Sequence, residues 1–199
     1  MKRLNVALTG GIACGKSRFG GFLEGLGAQV IRLDDLSAEV TGAGSSGLAA
    51  LVEAFGVRVV NRAGGLNRAV LRDILLACQA DRRVIEGILH PRILAEMRRL
   101  QQHSQKRVVV VEVPLLFEQG LEGLFDRVVV VVCGGGKQRE RLRKRTGVDE
   151  DTAQRLIAMQ MNQRQRLRAT ERVGGSVIKN NGGIEDLQHQ AQAFYKGLG

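Results

Sequence analysis

Residues 10 to 17 read Gly-Gly-Ile-Ala-Cys-Gly-Lys-Ser, placed between the apolar stretch 4–8 and a helix-length segment 16–25. This is the spacing G-x-x-x-x-G-K-[ST]. Glycines let the backbone wrap close to an anion, and consecutive N–H groups at a helix N-terminus then point at it. The chemistry expected is binding of a nucleoside triphosphate. Gly11, Ile12, Ala13, Cys14 and Gly15 would present the backbone to the phosphates, Lys16 would reach the β- and γ-phosphates, and Ser17 would ligate Mg²⁺. The competing reading is a glycine-rich turn that binds nothing. Cys14 stands where a small residue suffices and is assigned no chemistry, although its oxidation would block phosphate entry.

The elements that must position this loop come from the apolar periodicity. Five short runs rich in β-branched residues, 4–8, 29–33, 108–113, 127–132 and 176–179, read as strands of a parallel sheet covered on both faces. The first two, with the helix between them, make a right-handed βαβ unit. The expected fold is α/β: a P-loop NTPase fold with a five-stranded parallel sheet flanked by helices. From Leu36 onward the spacing turns helical, with Leu48, Leu51, Val52 and Phe55, then Leu71, Ile74 and Leu75, then Ile93, Leu94 and Met97 on apolar stripes. Residues 36–105 are therefore expected to form a helical insertion in a core made of 1–35 and 106–199. The Gly/Ser-rich stretch 42–47 is a flexible joint or a plain surface turn. Gly134, Gly135 and Gly136 close the fourth strand and open a basic helix; a second helix is expected over 150–168, capped by Asp149 or a neighbour. Together these give an arginine-rich lid at about 135–170.

With 199 residues and 44% hydrophobic content, the chain is long enough for one sizeable core with inserted parts. No apolar stretch reaches the roughly 18 residues that span a bilayer, and the N-terminus lacks a secretory apolar region. The expectation is a cytoplasmic protein without a membrane partner. Three widely spaced cysteines, Cys14, Cys78 and Cys133, show no metal-ligand pairing and suit a reducing compartment. A net charge of +10 attracts nucleic acid and polyphosphate alike, but aromatics are only 4% and Trp is absent, so stacking platforms for single strands are scarce. Small-ligand phosphate is favoured over nucleic acid. Absence of Asn-Lys-x-Asp and Asp-x-x-Gly speaks against an ordinary GTPase, and absence of Leu-Ser-Gly-Gly-Gln against an ABC ATPase. A helical insertion plus a basic lid suits phosphoryl transfer to a small acceptor.

Several segments then converge. Val6-Ala-Leu-Thr-Gly-Gly-Ile-Ala-Cys-Gly-Lys-Ser, Leu26-Gly-Ala-Gln-Val-Ile, Ile85-Glu-Gly-Ile-Leu-His-Pro-Arg-Ile and Val113-Pro-Leu-Leu-Phe-Glu resemble the dephospho-CoA kinase family. Gln138-x-x-Arg-Leu-x-x-Arg, Gln160 and Val177-Ile-x-Asn-Asn-Gly resemble that family's lid and last strand. The resemblance runs in order along nearly the whole chain. It implies transfer of the γ-phosphoryl of ATP, with Mg²⁺, to the ribose 3′-hydroxyl of dephospho-CoA. Another nucleotide or nucleoside kinase is the alternative, and a nucleic-acid-binding NTPase module a more distant one. Nothing in the residues fixes an oligomeric state.

Phosphoryl transfer is mostly positioning and charge stabilisation, so its parts can be sought one by one. Asp34 aligns with the second aspartate of the family's Asp-Ala-Asp and would take the proton of the 3′-hydroxyl or orient it. It is otherwise a helix N-cap, and Asp35 competes for either job. Glu112, at the end of the third strand, is a candidate to hold Mg²⁺ through water or a strand-end contact. Alignment picks Arg145 among its basic neighbours to clamp the β- and γ-phosphates. His90-Pro91 is read as part of the acceptor site, with the proline opening a helix. Phe117 would pack on the acceptor adenine, Arg68 would meet a CoA phosphate, and Thr9 would touch nucleotide or support the loop. Residues 180–183 would turn near the ATP adenine. The chain departs from the family pattern at Arg32 and Leu33 in Asp-Ala-Asp, at Arg18, Ala38 and Asn67, and at Gly174-Gly175.

Overall fold

In the computed structural model, which describes residues 3–199, valines fill the middle of the sheet because both of its faces are covered. Strand β3 (Val108–Glu112) is buried at every residue, and β4 (Arg127–Val132) at all but its first. With β1 (Leu4–Gly10), β2 (Gln29–Arg32) and β5 (Ser176–Lys179) they form a parallel sheet in the order β2-β3-β1-β4-β5. The register sets Leu8 of β1 opposite Glu112 and Gly10 opposite Val131. The carboxyl ends of β1, β3 and β4 therefore emerge side by side.

The chain divides into two compact units, Met1–Ile31 with Ser104–Gly199, and Arg32–His103. In the first, helix α1 (Lys16–Gly25) returns from β1 to β2 and buries Phe19, Gly20 and Leu23. Phe19 meets Phe194 of the C-terminal helix with ring centroids 5.9 Å apart and planes tilted by 54°. Complete burial of such a ring is worth roughly 1.5–3 kcal/mol. Gly27, at φ +105°, turns the chain out of α1 toward β2.

The second unit holds α2 (Leu33–Val40), α3 (Ser46–Phe55), α4 (Arg68–Ala77) and α5 (Gln79–His103) around Leu51, Val59, Leu71, Ile74, Ile85 and Leu89. Ser45 caps α3 by accepting from Leu48 N, and Asn67 caps α4 by accepting from Val70 N. Within 42–47 the chain makes a bonded turn, Ser45 N donating to Gly42 O and Ser45 Oγ to Val40 O.

Two expectations and one competing reading are corrected. Pro91 does not open a helix but lies inside α5. It sits on the exposed side, while Ile85, Leu89 and Met97 are buried along the helix to either side; that packing outweighs a penalty of about 3 kcal/mol for an interior proline. Asp34 is not a cap: α2 starts at Leu33 with Arg32 at its N-cap position, which leaves Asp34 exposed in the first turn. A single helix over 150–168 is instead two. Beyond α6 (Gly135–Thr146), α7 (Glu150–Ala158) is capped by Asp149, and α8 (Gln163–Arg172) restarts from a reciprocal capping box between Asn162 and Gln165. Between them Gln160 and Met161 turn their polar groups to other parts of the fold. The last helix, α9 (Ile184–Lys196), buries Leu187 and Ala191. Among the described residues no helix is long and apolar enough to cross a membrane.

Candidate functional site

The loop between β1 and α1 has the backbone its sequence demands. Gly10 has φ +150°, Ala13 +58° and Gly15 +98°; Gly15 occupies the N-cap position of α1 in the left-handed region. A Cβ at Gly15 would lie 2.3 Å from Asn180 Nδ2, and one at Gly10 would lie 2.2 Å from Val131 O. Only glycine satisfies both the angle and the space at these two positions.

Lys16 Nζ donates to the loop's own carbonyls, Gly10 O at 3.1 Å and Gly11 O at 3.2 Å. These bonds draw its ammonium over the loop. Ser17 Oγ donates to Glu112 Oε1 at 3.0 Å. The β1–β3 register explains the meeting, since Glu112 ends the strand beside the one that feeds the loop. Glu112 is 7% exposed, and its other oxygen, Oε2, is buried with no hydrogen-bond partner. A buried carboxylate oxygen without a donor is costly unless something cationic or a water answers it. Hydroxyl and carboxylate are the hard oxygen donors that Mg²⁺ takes, so this pair fits that ion.

Helices α6 to α8 reach the same loop. Ile12 N donates to Gln160 Oε1 at 2.8 Å, and Gln138 Nε2 donates to Ile12 O at 3.0 Å, so two glutamines hold both faces of one peptide residue. Asn180, just past β5, donates from Nδ2 to Cys14 O at 2.8 Å and accepts from Arg141. A cavity of about 430 Å³ beside the loop has Gly11, Cys14, Gln138, Gln160 and Arg166 on its wall. Arg166 is 3% exposed, donates to Glu118 at 3.4 Å, and keeps its Nε buried without a partner.

Thr9 is fully buried and donates to Pro114 O at 3.5 Å, tying the end of β1 to the turn after β3 that carries half-buried Phe117. Arg145 is exposed in the last turn of α6. In the other unit, Asp34 is exposed in α2, Arg68 is exposed at the start of α4, and half-buried His90 and exposed Pro91 lie in mid-α5. The loop, Ser17, Glu112 and Thr9 are thus gathered at one sheet edge. Gln138, Gln160 and Asn180 were visible in the sequence as family-like positions, but their grip on the loop backbone was not. Arg141 and Arg166 were hidden in a basic run where nothing separates a buried guanidinium from a solvated one.

A strand, a glycine-bent anion loop and a helix on a parallel sheet, with lysine and serine at the loop's end, define a P-loop nucleotide-binding protein. The dephospho-CoA kinase family model matches residues 4–186. The dephospho-CoA kinase of Nitrosospira multiformis is 34% identical over 194 residues, covering 97% of this chain and 95% of its own. The chain belongs to the dephospho-CoA kinase family. The fold is shared with TT1252 from Thermus thermophilus, at TM-score 0.82, 23% identity and full coverage of both chains. It is shared as well with dephospho-CoA kinase from Campylobacter jejuni, at TM-score 0.65 and 19% identity, covering 98% of this chain and 97% of that one.

Proposed function

We propose that this protein transfers the γ-phosphoryl of ATP to the ribose 3′-hydroxyl of dephospho-CoA, giving CoA and ADP. The observation that carries the reading is the family match along residues 4–186. Loop residues 11–15 take the phosphates on backbone N–H groups, Ile12 N–H leaving Gln160 Oε1 and Lys16 leaving its two carbonyls for phosphate oxygens. Ser17 and Glu112 would hold Mg²⁺, and the ion, when bound, would spread the charge of the phosphates. Asp34 accepts or orients the 3′-hydroxyl proton, and Arg145 meets charge on the transferring phosphoryl. Arg68, His90, Pro91 and Phe117 serve the acceptor, with Thr9 supporting the turn that carries Phe117. The unit Arg32–His103 is the acceptor-binding part and α6 to α8 the lid.

Within the lid, Arg139 and Arg143 pair with Glu150 and Lys144 pairs with Glu140, so these helices are braced by their own exposed ion pairs. The deciding experiment is ADP release with dephospho-CoA, AMP, UMP or adenosine as acceptor. The proposed reading requires dephospho-CoA to be preferred; a rate no higher than the acceptor-free ATPase would end it.

Two substitutions test the roles. Asp34→Asn should leave ATP affinity unchanged, because Asp34 is assigned to the acceptor, and lower kcat by about 10²- to 10⁴-fold, the usual size of general-base loss. An unchanged kcat would remove Asp34 from the chemistry. Glu112→Gln keeps an acceptor for Ser17 Oγ but deletes the charge. It should raise the Mg²⁺ concentration for half-maximal rate by about 10- to 100-fold, as loss of an outer-sphere ligand does. A titration curve that superimposes on the parent's would make Glu112 a strand-end contact only.

A further inference from the structure

The sequence separates Cys14 from Cys133 by more than half the chain, yet the sheet brings them together. β1 and β4 are neighbours with Gly10 opposite Val131, so the loop after one strand and the residue that ends the other leave the sheet at the same place. Cys133 Sγ donates to Cys14 Sγ at 3.0 Å, and both thiols are free and buried. Cys14 nevertheless lines the 430 Å³ cavity beside the loop, which is wide enough to admit a molecule the size of water or peroxide. The third cysteine, Cys78, is exposed and lies in the other unit.

We propose that Cys14 and Cys133 are a peroxide-oxidisable thiol pair whose disulfide withdraws the phosphate-binding loop from its working shape. The Sγ of Cys14 attacks one peroxide oxygen; the S–O bond forms, the O–O bond breaks, and the first water leaves carrying the thiol proton. The Sγ of Cys133 then attacks the resulting sulfenic sulfur; the S–S bond forms, the S–O bond breaks, and the second water leaves with the proton of Cys133. Each sulfur loses one electron and the peroxide gains two.

The surroundings favour Cys14 as the attacking sulfur. The hydrogen bond from Cys133 lowers its pKa, burial opposes this, and a second Cys133 contact, Lys16 and Arg166 add to the lowering, to about 7. Donating that bond and being buried push the Cys133 thiol up, so the roles of attacking and resolving thiol are unequal.

The consequence for the loop is geometric. A disulfide needs its sulfurs about 2.05 Å apart, so closure draws the Cys14 side chain about 1 Å toward β4. Cys14 follows Ala13, held at φ +58°, and precedes Gly15, at +98°, while its carbonyl is fixed by Asn180. With so little backbone freedom, the pull passes to the N–H groups that face phosphate. A misplacement of that size costs about 10²-fold in rate.

The test uses the full chain carrying Cys78→Ser, treated with hydrogen peroxide, alkylated, digested and mapped by mass spectrometry, with kinase activity followed in parallel. The expected result is a linked Cys14–Cys133 peptide that grows as activity falls about 10²-fold, both reversed by dithiothreitol. Cys133→Ser in the same background should keep the basal activity and give no linked peptide; with peroxide in excess its Cys14 sulfenic acid takes up a second peroxide oxygen, releasing water, and the resulting sulfinic acid, read as a mass gain on the Cys14 peptide, leaves an activity loss that dithiothreitol does not reverse. The proposal is overturned if Cys14 oxidises without a linked peptide in the parent, or if linkage is complete while activity is retained. It is also overturned if, at the same excess of peroxide, Cys133→Ser is inactivated and rescued as fully as the parent is. Because the linked peptide is read by mass, this result stands whichever acceptor the enzyme prefers.

Discussion

Lys16→Ala is expected to lower kcat/KM by about 10³-fold, close to 4 kcal/mol of transition-state stabilisation. The ammonium lies 3.1 and 3.2 Å from two loop carbonyls, a position reached only because α1 begins at this residue and the loop curls back over its own backbone. No other lysine is offered by the loop sequence, so the positive charge aimed at the β- and γ-phosphates has no substitute. Thermal unfolding should move little, since the bonds lost are partly exposed and each is worth about 1 kcal/mol. Steady-state kinetics against Mg·ATP, with the melting temperature measured alongside, checks both halves. A variant within tenfold of the parent would show that charge at this position does not support transfer.

Gly15→Val should be more damaging, because it fails on two independent grounds. Valine at φ +98° is in a region that branched side chains avoid, and its Cβ would stand 2.3 Å from Asn180 Nδ2. Relief requires the Asn180 side chain to swing away, which breaks its bond to Cys14 O and the one its Oδ1 accepts from Arg141. ATP binding by calorimetry should fall below detection, with a stability loss of about 2–4 kcal/mol in denaturant unfolding. Gly15→Ala meets the same clash with a smaller side chain and should lie between valine and parent. Parent-like binding by the valine variant would mean that the loop has another way to face phosphate.

The family resemblance and the strand-by-strand outline were legible because they depend on local chemistry. Continuous valine runs at 108–111 and 128–132 can only be satisfied under cover on both faces, and the loop's glycines announce backbone angles that other residues resist. Pro91 was read by its own preference, whereas burial of Ile85, Leu89 and Met97 on the same helix overrides it. The helix expected over 150–168 was read by composition: the Asn162–Gln165 capping box that restarts it is a local signal between residues three positions apart, whereas the partner of Gln160, Ile12, lies across the fold. A side chain's partner across the fold carries no mark in its own neighbourhood of sequence.

By itself, then, the amino-acid order determined the anion loop, the parallel sheet and the family, since steric limits and apolar periodicity act over a few neighbouring residues. Only the tertiary structure decided which distant groups meet that loop: Glu112 at Ser17, the glutamines at Ile12, Asn180 and Cys133 at Cys14. The strand order places β3 and β4 on either side of β1, so their ends converge on one edge. That order is chosen by packing of the whole chain and is written in no single segment.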